Sequence, residues 1–99
     1  EAVHNKIQDK DILQAENCLR TGRGVVNAGT IIEETKNNEI PEQDRELGIV
    51  PHHNLSVLNI NTQRGTVTMY DAVTEQEIRN YPIDKFKKYF SKLYWATLD

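Results

Sequence analysis

The sequence predicts a small α+β domain in which an antiparallel meander of three to four strands follows an N-terminal helix and has a C-terminal amphipathic helix packed on it. Residues 55–60 and 66–71 alternate apolar and polar side chains on either side of "NTQRG", whose Asn61 and Gly65 suit the positive φ angles of a tight hairpin turn. Segments before and after this hairpin repeat their apolar side chains with a helical period. A chain of 99 residues fits one domain with one modest core.

The N-terminal helix is predicted to end at about Arg20. Asp9 or Asp11 can cap its first turn, because a carboxylate accepts hydrogen bonds from the free backbone N–H groups there. Its apolar face, spaced i, i+3 and i+7, consists of Ile12, Ala15 and Leu19. Gly22 and Gly24 then supply a stop for the helix.

The middle of the chain allows more than one assignment. Residues 25–35, "VVNAGTIIEET", are rich in β-branched side chains, which favours a strand. A short helix over residues 28–36 also fits, since it would gather the isoleucines on one side; we favour the helix and leave the strand open. Residues 36–48 are polar and contain a proline, so we expect a mobile surface connection.

After the hairpin, the sequence predicts a strand, a helix and a further strand. Residues 77–81 should return from a turn and extend the meander, and Pro82 suits the first turn of a helix because it has no N–H to leave unpaired. The apolar stripe of this helix consists of Ile83, Phe86, Phe90 and Leu93. Its outward face consists of Lys85, Lys88 and Lys92. Residues 94–98 could form the last strand.

Composition argues against several classes of function. Twelve Lys and Arg against fifteen Asp and Glu give a net charge of −3, which disfavours nucleic acid as a partner. One cysteine forms no intrachain disulfide, and no run of about 18 apolar residues could span a bilayer, so we expect a cytoplasmic or otherwise intracellular protein without membrane contact. We expect no cofactor, and no metal site either, because adjacent His52 and His53 would point to opposite faces of a strand. Since residue 1 is Glu1 and not Met, we expect a processed chain or a piece of a longer one.

The hairpin places a histidine beside Asp71 in either of two registers. With a five-residue turn, His53 and Asp71 are diagonal neighbours on one face of the sheet, roughly 7 Å apart at the backbone. With a four-residue turn, the side chains of the first strand change to the opposite face of the sheet, and His52 becomes the neighbour of Asp71. A carboxylate that accepts a hydrogen bond from one ring nitrogen fixes the tautomer and leaves the other nitrogen to act as a base or acid. The pattern therefore permits a His–Asp dyad and leaves open which histidine forms it, although His and Asp are also common residues beside turns.

These motifs resemble the His–Asp half of papain-like cysteine peptidases, in which a histidine opens a strand, a hairpin follows, and an aspartate closes the second strand. The pattern H-x-x-L-x-V-L from His52, followed by "MYD", is similar to the SUMO-protease-like branch. "YPIDKFKKYFSKLYW" resembles a Lys-aromatic helix found after the aspartate in some bacterial papain-like effector peptidases. The resemblance covers residues 50–95 and implies a cysteine peptidase-like hydrolase, with His53 or His52 as base and Asp71 as the residue that orients it. It also raises the expectation of a delivered bacterial protein.

The resemblance implies a nucleophilic thiol, and Cys18 is the only cysteine. Papain-like enzymes place that cysteine at a helix N-terminus well upstream of the histidine, where the helix dipole stabilises the thiolate. Cys18 falls near the predicted C-terminus of a helix instead, and no cysteine follows Asp71 as the SUMO-protease-like order requires. The thiol would come from Cys18 or from outside this chain.

Two functions follow from the sequence. The favoured one is a non-enzymatic module that binds another protein through a sheet edge or the Lys-aromatic segment, and phosphotyrosine-binding-type domains share its "D-x-x-T…Y-P" pattern. The residues expected to contact that partner are Lys85, Lys88, Lys92, Tyr94 and Trp95. The alternative is a cysteine peptidase-like domain or fragment in which His53, His52, Asp71 and Cys18 are the catalytic candidates. The oligomeric state stays open.

Overall fold

The structure is a computed structural model that describes residues 1–98. Within these residues the protein is α+β, as the sequence predicts, with three helices and one six-stranded antiparallel sheet in the order β1-β6-β2-β3-β4-β5. The elements are β1 (Ala2–Val3), α1 (Asp9–Arg20), β2 (Gly24–Thr30), α2 (Glu42–Glu46), β3 (Asn54–Asn61), β4 (Thr66–Asp71), β5 (Gln76–Pro82), α3 (Ile83–Tyr89) and β6 (Phe90–Thr97). The predicted count of three to four strands was too low.

The meander β3-β4-β5 confirms the strands predicted from alternation. Val67, Met69 and Asp71 of β4 are buried, while the residues between them are only partly covered. Ile78 and Tyr81 of β5 continue the buried set. One face of the meander therefore belongs to the core, as a half-buried antiparallel sheet requires.

Residues 24–30 form a strand, so the helix favoured for residues 28–36 is wrong. β2 pairs with β3 on one side and β6 on the other. Val26, Ala28 and Thr30 of this strand are buried, whereas Val25 and Asn27 are exposed. That period of two, with a β-branched side chain at three of these five positions, suits the interior of a sheet better than a helix.

The C-terminal helix is shorter than its apolar stripe predicts. α3 ends at Tyr89, and Phe90 begins β6, which runs beside β2 through the middle of the sheet. Leu93 therefore belongs to a strand, as does Lys92, and the last strand starts four residues before the predicted 94. Pairing with β2 and β1 takes the place of helical hydrogen bonds in this segment.

Helix α1 has the predicted length, but neither predicted residue is its N-cap. Gln8 takes that position, and its backbone N–H donates to the carboxylate of Asp11 at 2.8 Å. The buried side of α1 includes Ile12 and Ala15, as expected, and packs on β2, β3 and β6. No helix within residues 1–98 is long and apolar enough to cross a membrane.

Residues 36–48 contain α2 and one fully buried carboxylate. Asp44 is 2% exposed and accepts hydrogen bonds from the Tyr81 hydroxyl at 2.7 Å and from the Lys85 ammonium at 3.2 Å. Burial, together with the neighbouring Asp44 carboxylate, raises the pKa of Tyr81 far above its ordinary value, so the phenol stays a donor. These bonds fasten α2 to β5 and α3, while the predicted mobility of the segment stays a prediction.

Candidate functional site

A β-bulge in the hairpin decides which histidine faces Asp71. The turn between β3 and β4 has four residues, with Asn61 opposite Thr66. Leu58 is an extra residue in β3, and beyond it the register shifts so that Ser56 lies opposite Tyr70. One bulged residue moves every later side chain of that strand to the other face.

Without the bulge, Ser56 would lie opposite Asp71, and His52 would share its face. With the bulge, Leu55 takes the position opposite Asp71, and His53 lies on the same side of the sheet. The turn predicted for a His52 pair would cover residues 61–64, whereas the observed turn covers residues 62–65 and Ile60 pairs with Val67. Beyond the bulge, the strands take the register predicted for a five-residue turn, in which His53 faces Asp71.

The side chains of His53 and Asp71 are in direct contact. Nε2 of His53 lies 2.7 Å from Oδ2 of Asp71, within the range of a strong N–H···O bond to a carboxylate. The Asp71 side chain is 3% exposed and that of His53 is 22% exposed. The pair thus has a buried acid and an imidazole that reaches the surface.

The other oxygen of Asp71 is held by its own turn. Oδ1 accepts hydrogen bonds from the backbone N–H groups of Val73 at 2.9 Å and Thr74 at 3.4 Å. The hydrogen bond from His53 lowers the pKa of Asp71 below its ordinary value; burial opposes this shift, and the two backbone bonds support it. Gly48 passes close by in a left-handed conformation (φ +106°), with its missing Cβ position 3.6 Å from Oδ2. The carboxylate stays ionised and fixed in orientation.

An ionised Asp71 makes Nε2 of His53 the protonated nitrogen of the neutral ring. Nδ1 then has a free lone pair, and within residues 1–98 it makes no hydrogen bond. An imidazole held in this tautomer, with one nitrogen free of protein partners, has the lone pair needed to accept a proton from a thiol, hydroxyl or water.

The other catalytic candidates lie apart from this pair. His52 is exposed, has a left-handed backbone (φ 56°), and its side chain makes no hydrogen bond within residues 1–98. Cys18 packs against Gly24 at the start of β2, where its Sγ donates to the Ala96 carbonyl at 3.2 Å. His53 is bound at the other end of that seven-residue strand, about 20 Å away at 3.3 Å per residue.

The residues predicted to bind a partner are divided between α3 and β6. Lys85 is paired with Asp44, and Trp95 is 8% exposed and belongs to the core. Tyr94 and Lys92 lie on β6 beside a shallow groove, not on the helix with Lys88. Lys92 was predicted to lie on the outward face of the same helix as Lys85 and Lys88. That prediction is wrong, because Lys92 belongs to a strand.

Sequence reasoning missed two buried polar residues: Thr30, which bonds the backbone of His53, and Asp44 of α2, which bonds Tyr81 and Lys85. Thr30 lay in the segment assigned to a helix, although the spacing of Val26, Ala28 and Thr30 indicates a strand face. Asp44 lay in a segment expected to be mobile, and nothing in "PEQDRELG" distinguishes its buried acid from the exposed ones.

Comparison of the chain with protein-family models, curated proteins and solved structures gave no match. Within residues 1–98, no three His, Cys, Asp or Glu side chains are grouped so that they could hold a metal ion. Any function assigned to the pair rests on its own geometry.

Proposed function

We propose that His53 and Asp71 form the base and orienting residue of a cysteine peptidase-like hydrolase, with the nucleophilic thiol supplied from outside residues 1–98. The observation on which the proposal rests is the 2.7 Å contact between a buried carboxylate and an imidazole that is 22% exposed. The carboxylate fixes one ring nitrogen, and the other has no hydrogen-bond partner within residues 1–98.

The chemistry that such a pair supports is acyl transfer. The thiol proton moves to Nδ1 of His53, and the resulting thiolate attacks the substrate carbonyl carbon to form a C–S bond. Nδ1–H then protonates the leaving amine as the C–N bond breaks, and water hydrolyses the thioester with the same nitrogen as base. Asp71 accepts the Nε2–H bond throughout and keeps its charge.

Cys18 does not fit the role of nucleophile. It is 6% exposed, its Sγ is engaged with a backbone carbonyl, and the length of β2 separates it from His53. A thiolate must come within hydrogen-bond reach of the base, so the proposal requires a different sulfur.

The proposal can be tested with the chain as it is, by supplying the thiol in solution. The reaction of 2-mercaptoethanol with p-nitrophenyl acetate is followed at pH 7 with the native chain, with His53→Gln, and with His52→Gln as the matched control. We expect the native chain and H52Q to accelerate the reaction several-fold more than H53Q, and Asp71→Asn to behave like H53Q. Equal rates for H52Q and H53Q would refute the proposal.

A second candidate function is the binding of an acidic protein segment. One groove lined by lysines supports this function. The groove, about 370 Å³ in volume, is lined by Lys6 and Lys88 around the apolar Ile32 and Phe90. Lys87 also lines it, but its ammonium is paired with Asp9 at 2.7 Å. This combination fits a peptide that alternates acidic and apolar side chains, and such binding weakens as salt screens the charges.

The binding hypothesis has a simple test in fluorescence anisotropy with a labelled Glu-Leu repeat peptide. We expect Lys88→Glu to weaken binding several-fold, whereas Lys10→Glu, an equal charge change on the exposed side of α1, leaves it within twofold. An equal effect of both variants would mean that only net charge matters, and the groove would not be a binding site.

A further inference from the structure

The main chain of His53 is held on both sides by one buried residue, Thr30, through its side chain and its backbone. Oγ1 of Thr30 accepts a hydrogen bond from the His53 backbone N–H at 2.8 Å, and the Thr30 N–H donates to the His53 carbonyl at 2.9 Å. The Thr30 hydroxyl donates its own proton to the carbonyl of Val50 at 2.5 Å. Thr30 is 2% exposed, so no water competes for these bonds.

The backbone on each side of this contact departs from regular strand geometry. The pairing of β2 with β6 is regular through Gly29, and the register shifts between Gly29 and Thr30. Across the gap, His52 adopts a left-handed conformation (φ 56°) that is uncommon for a residue with a side chain, and its N–H donates to the Ile31 carbonyl at 2.9 Å. Such conformations persist only where surrounding contacts determine them, and they are concentrated at functional sites.

A serine or threonine hydroxyl is needed for this arrangement because it must both accept and donate. A valine in the same place would fill the same space, but the His53 N–H and the Val50 carbonyl would both lose a partner. His53 could then turn about its own backbone, and the 2.7 Å contact of its imidazole with Asp71 would loosen.

We propose that Thr30 is the positioning residue of the pair: its hydroxyl fixes the backbone of His53 so that Nε2–H points at Asp71 and Nδ1 stays free. This inference builds on the proposed function, in which that orientation makes His53 a base. It concerns the geometry of the imidazole, however, and can be measured without any substrate.

The experiment compares Thr30→Val, which removes the hydroxyl at constant shape, with Thr30→Ser, which keeps it. Thr68→Val is the matched control, because Oγ1 of Thr68 also accepts a backbone N–H bond, from Asn80 at 3.2 Å, away from the pair. The readout is the NMR signal of the His53 Nε2 proton and its exchange with water at pH 7.

We expect T30S and T68V to keep the hydrogen-bonded Nε2 proton signal of the native chain. In T30V that proton should exchange about fivefold faster or more, the factor that corresponds to about 1 kcal/mol for one hydrogen bond. A purely structural role for Thr30 would lower the melting temperature and leave the exchange rate of this proton unchanged.

Two results would overturn the inference: T30V exchanging at the native rate, or T30S exchanging as fast as T30V. If T30V fails to fold, T30S decides alone, since loss of its Nε2 signal in a folded chain would show that the methyl group and not the hydroxyl is required. A chain that passes this test but does not accelerate the thiol reaction refutes the hydrolase proposal and leaves the positioning role intact.

Discussion

The coupling between His53 and Asp71 can be measured with a double-mutant cycle of Asp71→Asn and His53→Ala. In D71N the amide oxygen can still accept the turn N–H bonds of Val73 and Thr74, which in the native chain go to Oδ1. The side-chain NH2 then replaces the charged oxygen that faces Nε2. The change therefore removes the charged acceptor of the His53 bond while keeping the shape of the turn.

The size of the coupling follows from the kind of hydrogen bond that is changed. A hydrogen bond to a charged group contributes about 1.5–3 kcal/mol, against about 1 kcal/mol between neutral groups. Because the His53 side chain is 22% exposed, we take the lower end and expect a coupling free energy of about 1.5 kcal/mol. D71N should cost at least this much in the native background and about 1.5 kcal/mol less when His53 is already alanine.

The assay is urea unfolding of the four proteins at pH 7, with equal m values as the check that all four unfold from a comparable native state. Nitrogen NMR of the ring gives an independent readout: the native chain should hold its proton on Nε2, and D71N should shift it towards Nδ1, since the amide can donate to Nε2. Additive effects of the two changes within about 0.3 kcal/mol would refute a charge-assisted bond between these residues.

Three further outcomes are expected. Because folding lowers the pKa of Asp71, the stability that its carboxylate contributes is complete above about pH 5. This stability starts to fall near the ordinary pKa of 3.8 and is lost once the pH drops below the native pKa. Acid unfolding should therefore be steeper in the native chain than in D71N. Iodoacetamide should label Cys18 slowly and at the same rate in His53→Ala, and faster labelling that depends on His53 would contradict the separation of the two. Tyr81→Phe should cost about 1.5–3 kcal/mol in thermal or urea unfolding because buried Asp44 loses a donor, and a loss below about 0.5 kcal/mol would mean that water replaces it.

The meander could be predicted from the sequence because its strands neighbour one another along the chain. The alternation of apolar and polar side chains predicted both ends of β4 correctly. It predicted the ends of β3 and β5 to within one residue. The His–Asp contact followed from the same pattern. What could not be predicted was the bulge at Leu58, since one extra residue in a strand leaves the alternation of short apolar runs almost unchanged.

The wrong helix at residues 28–36 and the overlong C-terminal helix have one cause, the pairing of β2 with β6. Val25 lies beside Ala96 and Gly29 beside Lys92, so each strand depends on a partner far away in the sequence. Local spacing made Phe90 and Leu93 look like one more turn of helix, although the alternation of Leu93, exposed Tyr94 and buried Trp95 is that of a strand. Tertiary pairing overrides local preference in this part of the sheet.

The same pairing sets the order in which the protein can assemble. β6 is synthesised long after β2, yet it lies between β1 and β2 in the finished sheet. The three-stranded meander closes over short loops and can form early. The pairing of β2 with β6 forms only after the residues between them are present, and its loop closure costs more conformational entropy. On a ribosome, β2 would therefore stay with one unpaired edge until translation has passed Thr97, and that edge is where a chaperone or a second nascent chain would make contact.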